Sequence, residues 1–91
     1  MAFTIQFDPQ KAQSNFRKHG VRLTDAAAVL GDAQALSIED HDHDEERWVT
    51  LGDDGNGRIL VVVYTYRDPN LVRLISARKA QPREIQQYRG G

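Results

Sequence analysis

The 91-residue chain contains no cysteine. Disulfides, thiol catalysis, thiolate zinc sites and iron–sulfur clusters are therefore excluded. Long hydrophobic runs are missing too. The longest, Ile59 to Tyr64, is strand-sized, against the roughly 20 residues that a membrane span needs. Met1-Ala2-Phe3-Thr4 offers neither a basic n-region nor an apolar h-region, so a cytoplasmic location without membrane contact is expected. Internal repeats, low-complexity linkers and a glycine-rich phosphate loop are likewise absent from the sequence. Gly52, Gly55 and Gly57 mark a hairpin turn rather than a dinucleotide fingerprint. What is present, 40% hydrophobic and 27% charged residues, suits one small globular domain over residues 1–91. Such a chain hides a bit over ~60% of its surface on folding, enough for a core without covalent staples.

The chain also lacks a charge excess, with a formal net charge of −1. That value conceals a division. Residues 33–57 hold 1 basic and 8 acidic residues, whereas residues 58–91 hold 7 basic and 2 acidic ones. Six of those seven cations are arginine, the side chain suited to bidentate phosphate contact.

Phe3 to Phe7 alternates apolar and polar residues and reads as a half-buried strand. Asp8-Pro9 reads as an N-cap followed by proline at the first helical position. The helix is expected to end near His19, with Gly20 as a left-handed cap. Ala12, Phe16 and His19 are its expected buried stripe; Lys11, Asn15, Lys18 and Arg22 form a polar, mostly basic one. Thr24 caps a second short helix over Asp25 to Leu30. Strands are predicted at Ala35–Glu39, Arg47–Gly52, Arg58–Tyr66 and Leu71–Arg78, and a last helix runs from Pro82 to about Arg89. This order implies an α+β fold: a small antiparallel sheet with two N-terminal helices and a C-terminal helix packed on one face.

Ideal turn closure sets position 64 opposite 73, and position 63 opposite both 47 and 74. One face then carries Trp48, Arg58, Tyr64, Tyr66 and Arg73. The other carries Arg47, Thr65, Arg67, Ser76 and Arg78 besides Val49, Leu51, Val61, Val63 and Leu74. Arg67 and Arg78 fall roughly 25 Å apart at ~3.3 Å per residue, suited to successive phosphates rather than to one. The alternative is that these arginines are solvated or paired to acidic residues. His41 and His43, flanked by carboxylates, have the spacing of a metal pair on a strand. They sit in an acidic run, Asp40 to Glu46, with no third ligand fixed by spacing, and a solvated connector without metal is expected. Lys18 and His19 could hold a phosphate and move a proton, or His19 could serve the helix C-terminus structurally.

The ordered set of residues resembles a known family. Asp8-Pro9-Gln10-Lys11-Ala12, Asn15 and Lys18-His19-Gly20-Val21 are similar to the N-terminal signature of BrnT toxins. The likeness continues through Arg47 and Gly52, Val61-Val62-Val63-Tyr64-Thr65 leading to Arg67, Arg73 to Ala80, and Glu84 and Tyr88. It spans about Phe7 to Tyr88. Phe7 and Leu23 stand where the family usually has Trp and Phe, and Tyr66 fills a variable position.

The resemblance implies the toxin half of a bacterial type II toxin–antitoxin pair, with a RelE-like fold and RNA as substrate. It implies a BrnA-type antitoxin partner in a 2:2 heterotetramer, and DNA contact only through that antitoxin. Cleavage would proceed by 2′-OH attack without metal or cofactor and would inhibit translation until the antitoxin binds. Such chemistry needs charge stabilisation at the phosphoryl oxygens and two proton transfers. Arg67 and Arg78 are the expected phosphate contacts, with Arg47 and Arg73 next. Lys18, His19 and Tyr88 are the candidates for proton transfer, and Lys11 an RNA contact. Tyr64, Tyr66 or Trp48 would stack an unpaired base. A non-catalytic nucleic-acid- or protein-binding module is the alternative.

Overall fold

The structure, a computed structural model, describes residues 4–40 and 46–90. Five strands form one sheet in the order β1-β5-β4-β3-β2. They are β1 (Thr4–Gln6), β2 (Leu36–Asp40), β3 (Arg47–Asp53), β4 (Ile59–Asp68) and β5 (Leu71–Lys79). The helices are α1 (Pro9–His19), α2 (Leu23–Ala26) and α3 (Pro82–Gly90), with a 3-10 segment over Ala27–Gly31. The α+β class and the element order agree with the sequence.

The sheet is not purely antiparallel. β1 runs parallel to β5, with Gln6 beside Arg73. Only three residues of β1 pair, because Asp8-Pro9 starts a helix immediately: the Asp8 carboxylate accepts the Gln10 N–H at 2.8 Å. Gly20 closes α1 at φ +70°, a left-handed conformation that costs glycine little, and its N–H reaches the Phe16 carbonyl.

The helices do not share a face. α1, α2 and the 3-10 segment cover one side, where Val21, Leu23, Ala26 and Val29 bury against Leu60, Val62, Tyr64, Val72, Leu74 and Ala77. Fully burying a side chain such as Leu60 or Leu74 stabilises the fold by ~1.5–3 kcal/mol. α3 lies on the opposite side, with Ile85 and Tyr88 against Leu51, Ile59 and Val61. It covers only the end of that face where β3 and β4 meet their hairpin. Among the described residues no helix covers the other end.

Two predicted face assignments are corrected. Tyr64 pairs with Leu74, Thr65 with Arg73 and Val63 with Ser76, so a bulge at Ile75 shifts the register. Leu74 therefore turns into the core, and Arg73 joins the face of Thr65 and Arg78. On α1 the expected buried stripe holds at Ala12, which packs against the core, and fails at its other two positions. Phe16 is 45% exposed and His19 is exposed, whereas Asn15 is 5% exposed. The second helix starts earlier than predicted, at Leu23 rather than Asp25, and gives way to the 3-10 segment after Ala26.

The reason for the buried Asn15 lies in β5. β1 pairs with β5 only at residues 71–73, which leaves the outward N–H and C=O of Ala77 without a strand neighbour. Asn15 supplies both partners: its amide donates to the Ala77 carbonyl at 2.8 Å, and its carbonyl accepts the Ala77 N–H at 3.0 Å. The second amide hydrogen goes to the Val21 carbonyl at 2.9 Å. One side chain thus substitutes for the missing strand and fixes α1 on the sheet.

Candidate nucleic-acid site

The open end of the outer face is built where β1, β4 and β5 converge. Thr65 and Arg73 are register partners, and Arg73 is next to Gln6. Arg47 lies one step beyond the Trp48–Tyr64 pair, in line with Thr65. A second irregularity between Tyr66 and Asp68 brings Arg67 to the same corner. The turn that follows is held by the Asp68 carboxylate, which accepts the Asn70 N–H at 2.9 Å, and Asn70 in turn accepts from Thr4 at 2.8 Å. The β4–β5 turn is thereby tied to the start of β1.

Arg67 and Arg73 consequently line one cleft of about 270 Å³ with Gln6, Phe7 and Asp8. A neighbouring cleft of about 150 Å³ collects Lys11, Ser14, Asn15, Lys18 and His19 of α1 against Ile75 and Ser76 of β5. The Lys11/Asn15/Lys18 stripe thus faces the sheet edge, with its middle residue buried and the lysines at the rim. Arg67 of β4 and Arg73 of β5 line the first cleft, and Lys11, Lys18 and His19 line the second, where α1 meets β5. Among the described residues, Arg67, Arg73, Lys11 and Lys18 form no ion pair.

Arg78 is placed differently. Its guanidinium binds Glu84 with both terminal nitrogens, each at 2.9 Å. That bond holds the Glu84 carboxyl below its ordinary range and raises Arg78 further. At ~3.3 Å per residue Arg78 lies roughly 16 Å along β5 from Arg73, and it fastens α3 to the sheet.

Tyr88 is also remote from the arginine cleft. Its hydroxyl donates to Asp32 at 2.5 Å. The accepting carboxylate opposes a phenolate and pushes the Tyr88 pKa up to about 12. Asp32 itself is held low, first by the Asp53 N–H, then by Tyr88 and the Gln34 N–H. The contact ties α3 to Asp32, the cap that follows the 3-10 segment.

Tyr64, expected as a stacking surface, is 5% exposed, and its hydroxyl bonds Thr50 at 2.8 Å. Of the three stacking candidates Tyr66 is the exposed one, at 48%, held edge-on by Trp48 and Tyr64. His41 and His43 lie outside the described residues, as does most of the acidic run. The sequence reading misses Gln6 and Asp8 as cleft walls and Asn15 as the clamp. Asp8 reads only as a cap, and no local pattern reveals which stripe of α1 meets a strand edge.

The model of the ribonuclease toxin BrnT of type II toxin–antitoxin systems matches residues 7–84. The chain belongs to the BrnT family. It is a ribonuclease toxin of the type II class, which implies an RNA substrate and an antitoxin partner. The crystal structure of the Brucella abortus ribonuclease toxin BrnT superposes with a TM-score of 0.71 at 23% identity, covering 88% of this chain and 99% of that one. That likeness supports the fold. A search of curated protein sequences found no match. No helix among the described residues is long and apolar enough to cross a membrane.

Proposed function

We propose that this BrnT-family chain, with a RelE-like active surface, cleaves RNA by attack of the RNA's own 2′-OH on the adjacent phosphorus. Arg67 and Arg73 hold the phosphate and the charge that grows on its oxygens. Lys11 and Lys18 carry the neighbouring stretch of backbone, and the imidazole of His19 is the side-chain type suited to moving a proton. Guanidinium forks supply the electrostatic stabilisation directly, so the chemistry calls for no metal. Arg47 extends the phosphate track across the open face. Arg78 and Tyr88 brace α3 rather than act on RNA.

The carrying observation is the convergence of Arg67 and Arg73 on one cleft beside Gln6, Phe7 and Asp8. In the cell the consequence is inhibited translation in the cytoplasm. A BrnA-type antitoxin relieves it in a 2:2 complex, through which alone the toxin meets DNA.

The test uses the purified chain and a single-stranded oligoribonucleotide in chelator. The bond from phosphorus to the 5′-oxygen of the next nucleotide breaks as the 2′-oxygen attacks, so cleavage should leave a 2′,3′-cyclic phosphate and a protonated 5′-hydroxyl. Arg67→Ala and Arg73→Ala should each lower kcat/KM by ~100-fold, within the range of a lost transition-state contact. Far-UV circular dichroism should be unchanged. Cleavage that survives 2′-deoxy substitution throughout the oligonucleotide refutes the mechanism. Full activity in both arginine variants refutes the site.

A further inference from the structure

Phe16 is an anomaly. A large aromatic ring 45% exposed on α1 contributes little to the core, yet it is not loose. The Arg22 guanidinium lies 5.2 Å from its centroid, a cation–π contact that fixes the ring at the surface. Beside this pair is a groove of about 340 Å³ lined by Phe7, Ala12, Gln13, Phe16, Arg22, Leu23 and Thr24. Its size matches the lower end of small-ligand pockets, ~300 Å³ and above.

Phe7 is the decisive residue. It lines this groove and also the Arg67/Arg73 cleft, so the two meet at one residue of the β1–α1 junction. An occupant of the arginine cleft therefore has the groove as its immediate neighbour. Its apolar floor and aromatic walls suit a flat ring. Its rim adds the Gln13 amide, the Thr24 hydroxyl and the Arg22 guanidinium, which are donors and acceptors for a heterocycle edge. An aliphatic anchor from a protein partner would use none of them.

We propose that this groove is a subsite for one unpaired nucleobase of the RNA, splayed from the strand beside the phosphate held by Arg67 and Arg73. The proposal rests on the ribonuclease reading above and adds a determinant of sequence preference to it. Phe7 and Phe16 supply the stacking surface, and Gln13 reads the base edge. Single-stranded RNA is commonly read in this way, by bases turned out onto aromatic or guanidinium planes.

The experiment measures binding, so that it does not depend on turnover. The probe is a fluorescein-labelled six-nucleotide RNA with 2′-fluoro riboses, which lacks the attacking hydroxyl, prepared with an abasic site at each position in turn. For the unaltered chain, one abasic position should weaken binding by about 5- to 100-fold, the range of a single base–aromatic stack. Phe16→Ala should weaken the intact probe by a similar factor and be insensitive to that abasic site. Phe16→Trp should restore the sensitivity, and Gln13→Ala should change which base is preferred there. Exposure of Phe16 makes these variants fold normally, which a thermal melt verifies.

Equal abasic sensitivity of Phe16→Ala and the unaltered chain at every position overturns the subsite. Cleavage of ordinary RNA, measured separately, then still upholds the ribonuclease reading. Failure of the unaltered chain both to bind and to cleave overturns the two together. If Phe16→Ala weakens only the antitoxin complex and leaves RNA binding intact, the groove is a protein contact and the proposal falls.

Discussion

Replacing Asn15 with alanine should destabilise the protein far more than its place on a polar stripe suggests. The side chain makes three hydrogen bonds, to Val21 O, Ala77 O and Ala77 N, at 2.9, 2.8 and 3.0 Å. Alanine leaves one N–H and two carbonyls unpaired at a buried position. Each such group costs about 1–3 kcal/mol when nothing replaces the partner. The full sum overstates the loss, because the small cleft of Lys11, Lys18 and His19 adjoins Asn15 and can admit water to part of the vacated site. A net loss of ~2–4 kcal/mol follows from combining these effects. At ~0.05–0.15 kcal/mol per residue the whole domain has ~5–14 kcal/mol to lose, so the midpoint should drop by roughly 10–30 °C. Asn15→Asp should be at least as damaging, since a carboxylate would face the Ala77 and Val21 carbonyls. Urea unfolding followed by far-UV circular dichroism measures both variants, with the slope m unchanged if only the folded state is affected. A loss below about 1 kcal/mol in both variants would show that the clamp is not structural, and the reasoning about an incomplete β5 edge would fail with it.

Gly52→Ala should also destabilise, although Gly52 has no unusual backbone angle. A Cβ there would lie 3.0 Å from Val29, 3.1 Å from Asp32 and 3.2 Å from Ala35, an overpacking that costs ~1–3 kcal/mol; an unchanged thermal midpoint would contradict the close approach. Tyr88→Phe tests the Asp32 bond through pH. A phenol whose folded pKa is raised to about 12 contributes stability fully below its ordinary value near 10 and loses it as pH rises through 12. The stability gap between the unaltered chain and the Tyr88→Phe variant should therefore be constant at about pH 7–9 and close above about pH 10, and a gap unaffected by alkali would refute the contact. In RNA binding, Arg67→Ala should reduce the salt dependence by ~0.7 in log–log slope, one single-strand phosphate contact. Arg78→Ala should leave the slope unaltered, and an equal reduction in both would return Arg78 to the RNA surface.

The helix caps, the strand sequence and the α+β class were legible because each is written in local chemistry. Asp8-Pro9 and Gly20 bound α1 by backbone rules that need no tertiary partner. Val61 to Tyr64, apolar on both faces, could only be a central strand. Three things were not legible. The parallel pairing of β1 depends on where the chain returns after the intervening helices and strands. The bulge at Ile75 moved Leu74 and Arg73 to faces opposite those of an ideal register, a shift that two-residue periodicity cannot reveal. The burial of Asn15 was hidden because its partner is a backbone group on β5, so hydropathy ranks Phe16 as the core residue while hydrogen bonding selects Asn15.

The charge pattern gains its meaning from these corrections. Sequence spacing favours Arg67 and Arg78 equally, since both are strand-end arginines in the basic third of the chain. The structure separates them by what their neighbours neutralise. Glu84 takes the Arg78 fork, and Asp54 takes Arg58 at 2.9 Å, with Asp25 at 3.7 Å. Burial alone would raise the Asp54 carboxyl, but the Arg58 side chain and the N–H groups of Asn56 and Arg58 outweigh it and hold the group low and charged. Acidic residues thus accompany the arginines at the α3 and hairpin end. At the β1–α1 end Arg67, Arg73, Lys11 and Lys18 have no such partner among the described residues. A chain with net charge −1 can therefore offer a locally positive edge to a polyanion, because the field a ligand meets is set by which cations are already paired, not by the sum.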